Sequence, residues 1–430
     1  MPEELSSTPS YIEGLRVFFQ QTLQAYNKEN RAAYEFDVAA LGAVLVSALA
    51  RCDMFEEADQ IYRELGRFRK TNRLDVKVKI AEAAGELSYC YYALSTLKKE
   101  GRFRQRAFEL LDEMKLPYTD SRVPAIRIET ASKIIGWASD TVVCDPEGAE
   151  RAINSVQDII EAGECIKPYL EAAYWAYFLA LGLSGCEEME HRILQNIIRY
   201  ATKYRMPEFI AKTYGSAISC FHEESAINPA DVSRLDSFIK AIDDLEHTDE
   251  VIYEIFDSAD SVIHIFVVTE RMREAEQYFY KLENLGESRR PDDIVLAWAA
   301  HQILFGYLEQ RKPENAEKWL FRMLAAVSAS TIYYQGVRGI VAIFTLYIDS
   351  GKPDKARHLA DWYMQTIHEH YAGTLQEYAA QTLCACLSAG LWDEAEQISQ
   401  TIGEDQESTL RAVCNEATNR LGTATALIKT

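Results

Sequence analysis

The residue types that could support acid–base, nucleophilic or metal chemistry occur in this sequence without the spacing that such chemistry needs. None of the eight histidines belongs to a His-Glu-x-x-His motif, and His368 and His370 are two positions apart, which directs them to different faces of a helix. Cys384 and Cys386 share that spacing, and the nine cysteines include no Cys-x-x-Cys pair. We therefore predict that the protein holds no metal ion and no cofactor.

Signatures of nucleotide-dependent enzymes and serine hydrolases are absent from the sequence as well. It contains no G-x-x-x-x-G-K-[ST] loop, no G-x-G-x-x-G turn and no G-x-S-x-G elbow. Carboxylate pairs are so frequent in this acidic chain that any pair chosen by eye has no specificity. We predict a protein that is not an enzyme. The alternative, an enzyme site built on a helical scaffold, requires a deep pocket in which histidines and carboxylates converge.

The net charge limits the classes of partner. The 430 residues carry a formal charge of −21, from 66 acidic and 45 basic side chains, and such a field repels nucleic acid phosphates and anionic lipids. We therefore expect neither nucleic acid nor a membrane as partner, and an RNA-binding helical repeat is the less favoured alternative. The longest apolar stretches, 38–50 and 172–183, are shorter than the roughly 20 residues that cross a bilayer. With no signal-peptide pattern at the N-terminus and an odd number of cysteines, the sequence predicts a cytoplasmic protein.

Basic side chains are concentrated near the N-terminus. Residues 1–106 contain 16 basic and 15 acidic side chains, so this part is almost neutral while the remainder is strongly acidic. Two Gly-Arg-Phe-Arg tetrapeptides lie within clusters formed by Arg63, Arg67, Arg69, Lys70, Arg73 and by Lys98, Lys99, Arg102, Arg104, Arg106. A solvated surface explains both clusters most simply. The functional alternative is a patch that binds an acidic protein segment or a phosphate chain, with predicted contacts at Arg67, Arg69, Lys70, Arg102 and Arg104.

Binding also needs buried anchors, because exposed ion pairs contribute only about 0.2–1 kcal/mol each. Aromatic residues make up 11% of the chain, and core packing is the default role for each of them. A subset on the first helix of each repeat is predicted to face a binding groove, namely Tyr307, Tyr333, Tyr334 and Tyr378. The acidic stretch 243–260 is interpreted as a solvated helix and loop, with a dock for a basic partner as the alternative.

The elements that must position these residues are helices. Asn-Gly, Asp-Gly and Gly-Gly hairpin signals are absent, and large apolar residues recur at spacings of three, four and seven. One sequence template fits nine places. It begins with one residue, usually small, and has apolar residues three or four positions later and again about seven positions later. The period of about 40 residues predicts stacked helix pairs, since no helix buries its apolar face alone. The starting residues are Ala58, Ala107, Ala152, Glu190, Leu235, Ala275, Ala316, Ala356 and Ala395.

The turn before several starting residues resembles that of a known family. Segments 351–356 (GKPDKA), 390–395 (GLWDEA) and 53–58 (DMFEEA) are similar to the turn and second-helix start of tetratricopeptide (TPR)-like repeats. The period exceeds the roughly 34 residues of that repeat, so HEAT-like stacking remains the alternative. The resemblance implies an all-α, right-handed α-solenoid, a superhelix of stacked antiparallel helix pairs. It also implies that the first helices line a concave face that binds protein segments.

These observations predict three regions: a capping helix region at 1–34, a helical-repeat array at 35–402, and a C-terminal helix or tail at 403–430. Glycines near the turns, at Gly101, Gly351 and Gly390, are expected to supply the positive φ that ends a helix. The predicted function is a non-enzymatic scaffold or adaptor that holds a protein or peptide partner. One version is a regulatory protein that sequesters a signalling or transcription-related partner. The sequence predicts no oligomeric state.

Overall fold

The computed structural model describes most of the chain up to residue 359. It covers residues 10–28, 31–115, 122–140, 142–181, 183, 185–219, 229–287, 293–325 and, within 339–359, all positions except 341, 345, 348 and 353. These described residues are mostly helical and include no β-strand. The predicted all-α class is therefore confirmed.

Seventeen α-helices can be given bounds within those ranges. They are α1 (Ser10–Lys28), α2 (Arg31–Arg51), α3 (Phe55–Leu65), α4 (Leu74–Lys98), α5 (Gly101–Glu113), α6 (Arg122–Ala138), α7 (Pro146–Ser155), α8 (Gln157–Glu161), α9 (Ile166–Ala180), α10 (Glu187–Tyr204), α11 (Pro207–Ser219), α12 (Pro229–Asp244), α13 (Asp249–Asp257), α14 (Ala259–Val268), α15 (Met272–Glu287), α16 (Asp293–Glu309) and α17 (Pro313–Ala325). A 3-10 turn, Gly66–Phe68, follows α3. Further helical residues lie within 339–349 and 354–359.

The chain divides into two compact units, Met1–Thr213 and Tyr214–Thr430. In the first unit the packed pairs are α2 with α3, α4 with α5, α6 with α7, and α9 with α10. In the second they are α14 with α15 and α16 with α17. We call the first member of each pair helix A and the second helix B. Successive A helices contact each other, from α2 through α4 and α6 to α9, and from α14 to α16. Each unit is thus an α-solenoid stack in chain order.

Six starting residues of the repeat template lie in the B helices defined above. Eight of its nine starting residues lie in described helical segments, one in each of α3, α5, α7, α10, α12, α15, α17 and the helical residues 354–359, and all eight are buried. A small residue at this position lets the adjacent helices approach closely, while the apolar residues one turn further along cover the contact. The ninth starting residue, Ala395, lies outside the described residues.

The N-terminal region consists of α1 and the first residues of α2. Helix α1 packs against α2 and buries Ile12 and Phe19. Because α2 begins at Arg31, the predicted boundary between residues 34 and 35 falls inside this helix. The predicted C-terminal region, 403–430, lies outside the described residues.

Most of the A-to-B turns share one backbone conformation. The residue two positions before the B-helix start has a positive φ of 55–60° at Asp53, Lys99, Glu270 and Arg311. In three of these turns the following amide donates to a carbonyl five residues earlier, as in Met54 to Leu49 at 2.9 Å. That bond satisfies a carbonyl at the end of helix A.

Glycine supplies this conformation less often than expected. Gly351 has a φ of 68°, in agreement with its predicted role. Gly101 is instead the first residue of α5, and Lys99 adopts the left-handed conformation in its place. The third predicted glycine, Gly390, lies outside the described residues.

Candidate functional site

Arg69, one of the predicted basic contacts, lies where helix B of one pair meets helix B of the next. Its guanidinium donates to the Tyr62 hydroxyl and pairs with the Glu113 carboxylate, each at 2.5 Å. Arg106 joins the same network, with Glu113 at 2.9 Å and Asp59 at 2.8 Å. Burial disfavours the charged form of Glu113, but the two arginines outweigh burial and lower the pKa of this carboxyl group. Arg69 therefore connects α5 to the end of the preceding pair.

Arg104 has a similar position between α5 and α7. Its guanidinium donates to Oδ1 of Asp145 at 2.9 Å, and the Tyr92 hydroxyl donates to Oδ2 of the same carboxylate at 2.7 Å. Asp145 is the N-cap of α7 and accepts a bond from the Gly148 amide at 3.0 Å. The charge of Arg104 is thus used to position the start of the next B helix.

The other predicted basic contacts, Arg67, Lys70 and Arg102, are exposed. Arg67 pairs with Glu64 at 2.8 Å and Arg102 pairs with Glu100 at 2.6 Å. The structure therefore does not bring the five predicted contacts together as an unpaired basic surface within residues 63–106, all of which it describes. Binding of a partner by these residues stays a prediction.

Ion pairs between successive repeats recur along both units. Their partners are separated by about one repeat in the sequence, which explains how a strongly acidic chain uses its basic residues. Besides those above, they include Glu150 with Arg192, Asp243 with Lys281, Glu283 with Arg322, and Glu314 with Lys352. Lys352 and Lys355 lower the pKa of Glu314 to about 2.

Tyr307 is the predicted aromatic anchor that the structure describes. Its side chain is only 6% exposed, and its hydroxyl donates to Glu276 at 2.8 Å. Burial, together with this bond, raises the pKa of Tyr307 to about 12. This placement agrees with the default core role and leaves little ring surface for a partner. Tyr333, Tyr334 and Tyr378 lie outside the described residues.

The acidic stretch 243–260 forms the end of α12, a short loop, and helix α13 with the start of α14. Thr248 caps α13 by accepting a bond from the Val251 amide at 3.4 Å. Asp243 is held by Lys281 of α15. The predicted helix and loop are present, and a dock for a basic partner at this stretch stays a prediction.

A different surface has the form of a binding site. A cleft of about 710 Å³ lies between two neighbouring A helices, α6 and α9, in the first unit. Apolar side chains and one helical glycine form much of its lining, and carboxylates and serine hydroxyls complete it. The lining includes Ile128, Ile135 and Gly136 of α6, and Glu171, Ala172 and Trp175 of α9.

The composition of α9 explains why this cleft is apolar. The helix is rich in alanine and aromatic residues around its whole circumference, and its buried face already contains Tyr169 and Tyr177. Tyr174 is buried as well, and the two aromatic residues left in the helix face solvent: Trp175 is 53% and Phe178 is 40% exposed. Exposed aromatic residues that are close together mark an interaction surface.

The aromatic rings on this side of α9 pack against one another. The Trp175 and Phe178 rings pack edge to face with centroids 5.9 Å apart, and the Tyr174 ring lies 5.4 Å from that of Trp175. The Lys212 ammonium group lies 4.4 Å from the centroid of Tyr174. These contacts hold the aromatic surface in place, which lowers the entropic cost of binding to it.

The polar groups of the cleft differ in how they are satisfied. Ser132 and Ser139 donate to carbonyls four residues earlier in α6, at 2.9 and 2.8 Å. Glu129 pairs with Lys133 at 2.9 Å. Glu171 is exposed and makes no ion pair with any residue that the structure describes. The lining contains no histidine, cysteine, lysine or arginine.

Gly136 lines the cleft without a side chain. A Cβ atom built on this glycine has no heavy atom within 4 Å, so the space beside α6 is open. A larger side chain at this position would enter the cleft without disturbing the packing of the helix.

Sequence reasoning did not find this site. The apolar stretch 172–183 is too short to cross a membrane, and a helix of a repeat stack that is apolar on all sides must expose part of that surface. That feature is the signal that points to Trp175 and Phe178.

The part of the chain that the structure describes lacks two further features. No group of three or more His, Cys, Asp or Glu side chains there is arranged to hold a metal ion. No helix among the same residues combines the length and apolar character needed to cross a membrane.

Comparison with known proteins identifies a repeat family at one place. A family model described as PPR repeat matches residues 44–69, which run from the second half of α2 through α3 to the residue after the 3-10 turn. No curated protein sequence matches the chain.

Several solved helical structures align with the chain at low sequence identity. A circular tandem repeat protein is 12% identical, with 96% of this chain and 91% of that chain covered and a TM-score of 0.25. The pentatricopeptide repeat protein PPR10 from maize is 13% identical, with coverages of 95% and 70% and a TM-score of 0.26. The human IFIT1 dimer with m7Gppp-AAAA is 13% identical, with coverages of 93% and 86% and a TM-score of 0.26. Together with the stacked pairs described above, the repeat match shows that the chain is a helical repeat protein.

Proposed function

We propose that this protein is a non-enzymatic scaffold or adaptor that binds a segment of a partner protein in the cleft between α6 and α9. The observation that carries the proposal is the pair of exposed aromatic residues, Trp175 and Phe178, beside an apolar cleft of about 710 Å³. Aromatic side chains in such positions are the residues that most often dominate binding energy in protein interfaces.

The exposed area is large enough to matter. Trp175 and Phe178 together leave about 200 Å² of ring surface for a partner to cover, given that an aromatic side chain has about 150–250 Å². At about 25 cal/mol/Å², this area corresponds to about 5 kcal/mol before the entropic cost of association. Micromolar affinity requires about 8 kcal/mol net, so a bound segment must also bury apolar surface in the cleft beyond these two rings.

The proposal includes the TPR-like character of the repeats and a cytoplasmic location. The turn segments at 53–58 and 351–356 support the former, and the odd number of scattered cysteines supports the latter. A regulatory protein that sequesters its partner is one version of the same scaffold.

Two alternative functions, an enzyme and an RNA-binding protein, have different requirements. An enzyme would need a base and a nucleophile or metal in its pocket, and the lining of the α6–α9 cleft offers two carboxylates and two internally bonded serines. RNA binding would need unpaired basic side chains, whereas Arg69, Arg104 and Arg106 each contact a carboxylate.

Site-specific photocrosslinking tests the proposed function. A benzoylphenylalanine is placed at Ser139 in the cleft or, as a control, at Glu188 of α10, and each protein is irradiated in an extract of its own organism. We expect a protein adduct from position 139 that is absent from position 188 and is lost when Trp175→Ala is added. Equal adducts from both positions, or an adduct from position 139 that ribonuclease removes, would contradict the proposal.

A further inference from the structure

The charges around the cleft indicate the chemistry of its occupant. Resting on the proposed function, we infer that the bound segment is amphipathic and basic, with an apolar side chain in the cleft and an arginine or lysine over Trp175 and beside Glu171.

The geometry of α9 provides a place for the basic group. Glu171 and Trp175 are four residues apart on one helix, so they are neighbours on the same face, and both line the cleft. A guanidinium or ammonium group that stacks on the exposed indole can also reach the carboxylate. These two contacts act on the same charge, because the ring face attracts the cation and the carboxylate accepts its hydrogen bonds.

The carboxylate of Glu171 is available for such a contact. Among the residues that the structure describes, none forms an ion pair with it. On the opposite wall, Glu129 is held by Lys133, which itself does not line the cleft. The lining therefore contains carboxylates without any lysine or arginine.

The apolar part of the cleft provides a seat for the second group. Its lining includes Ile128 and Ile135 of α6 and Ala172 of α9, which are only 1–2% exposed, and the missing side chain of Gly136 leaves open space beside α6. An aliphatic or aromatic side chain from the partner fits that space, next to the position of the cation.

An acidic segment would be repelled in the same place. Its carboxylates would face Glu171 and Glu129, within a chain whose net charge is −21. The net charge also raises the rate at which a basic segment encounters the protein, and this effect weakens with added salt. Charge complementarity thus favours a basic occupant over an acidic one.

A phage-displayed library of random 16-residue peptides provides the test. The full-length protein is the target, and clones that bind Gly136→Leu equally well are discarded. This substitution fills the cleft and, since glycine is a poor helix former, should not lower stability, which a thermal melt verifies. Gly14→Leu is the matched control, because Gly14 is also helical and has no heavy atom within 4 Å of an added Cβ.

We expect cleft-dependent peptides in which arginine or lysine is enriched beside an apolar residue. Their affinity should fall about five- to tenfold in Glu171→Gln and remain within twofold of wild type in Glu188→Gln, whose carboxylate is exposed on α10. If cleft-dependent peptides show no basic enrichment, or if the two glutamine variants behave alike, the inference about charge is overturned while the proposed function stands. If no peptide distinguishes Gly136→Leu from Gly14→Leu, the proposed function fails as well.

Discussion

The most informative test of packing in the first unit concerns Arg127, a charged residue whose side chain has no exposed surface. From α6, its guanidinium donates to the two carboxylate oxygens of Asp158 in α8, at 2.9 and 3.0 Å. It also donates to the carbonyl oxygen of Ser155, the last residue of α7, at 2.6 Å. One cation thus joins helix A of this pair to the break between α7 and α8.

The substitution Asp158→Ala should destabilise this region strongly. Removing one partner of a fully buried ion pair costs about 3–5 kcal/mol, because the other charge is left without compensation. Asp158 is 41% exposed, so water can replace part of the lost contact. The bond to the Ser155 carbonyl also remains. We therefore expect a loss of about 2–3 kcal/mol.

Hydrogen–deuterium exchange of α6, α7 and α8 measures this loss locally, without assuming that the whole chain unfolds in one step. A change of 2–3 kcal/mol corresponds to exchange that is about 30- to 140-fold faster. Asp112→Ala is the control, since Asp112 is 53% exposed and pairs with Lys115 at 2.8 Å, a pair worth about 0.2–1 kcal/mol. If Asp158→Ala accelerates exchange in its own region no more than Asp112→Ala does in α5, the assigned role of the buried pair is wrong.

Three further predictions concern the contacts between neighbouring helix pairs. Because the pKa of the Glu113 carboxyl group lies below its usual 4.5, its ion pairs stabilise the protein above that pH and are lost as the pH falls through the lowered pKa. In urea titrations, the difference in unfolding free energy between wild type and Glu113→Gln should therefore shrink from pH 5 to pH 3. Gly85→Ala should lower the melting temperature, because the added Cβ would lie 2.5 Å from Oγ1 of Thr130. Gly136→Ala should raise the melting temperature, because the added Cβ meets no atom within 4 Å and alanine is the better helix former. Two changes of the same sign would contradict the packing described for α4 and α6. Trp319→Phe should lower the unfolding free energy of the second unit by about 2–4 kcal/mol, because this buried indole donates to a carboxylate at 2.9 Å. Urea unfolding with no change in midpoint would refute this prediction.

Apolar periodicity was sufficient to predict the architecture. The positions of Ala58, Ala275 and Ala316 at the centres of helix contacts follow from a spacing that only one face of a helix can satisfy. The same spacing is weaker around Glu190, yet this residue is also buried, because the side chains around it complete the contact.

The site could be predicted less well, because pairing between repeats depends on three-dimensional distances. In the two Gly-Arg-Phe-Arg tetrapeptides, the second residue of each, Arg67 or Arg102, meets a carboxylate two or three residues away. The fourth residue of each, Arg69 or Arg104, meets a carboxylate about one repeat further along the chain. One-dimensional charge clusters do not contain this difference. Likewise, Trp175 could be recognised as exposed only after its neighbours on α9 had been seen to fill the buried face.

The left-handed residues at the A-to-B turns have a consequence for how this protein tolerates heat and mutation. Asp53, Lys99, Glu270 and Arg311 each hold a conformation that costs a residue with a Cβ about 1 kcal/mol relative to glycine. The bend is therefore kept by the helices on either side and not by the residue at its apex. Replacing these four residues by glycine therefore offers a route to a more thermotolerant scaffold whose α6–α9 surface is untouched.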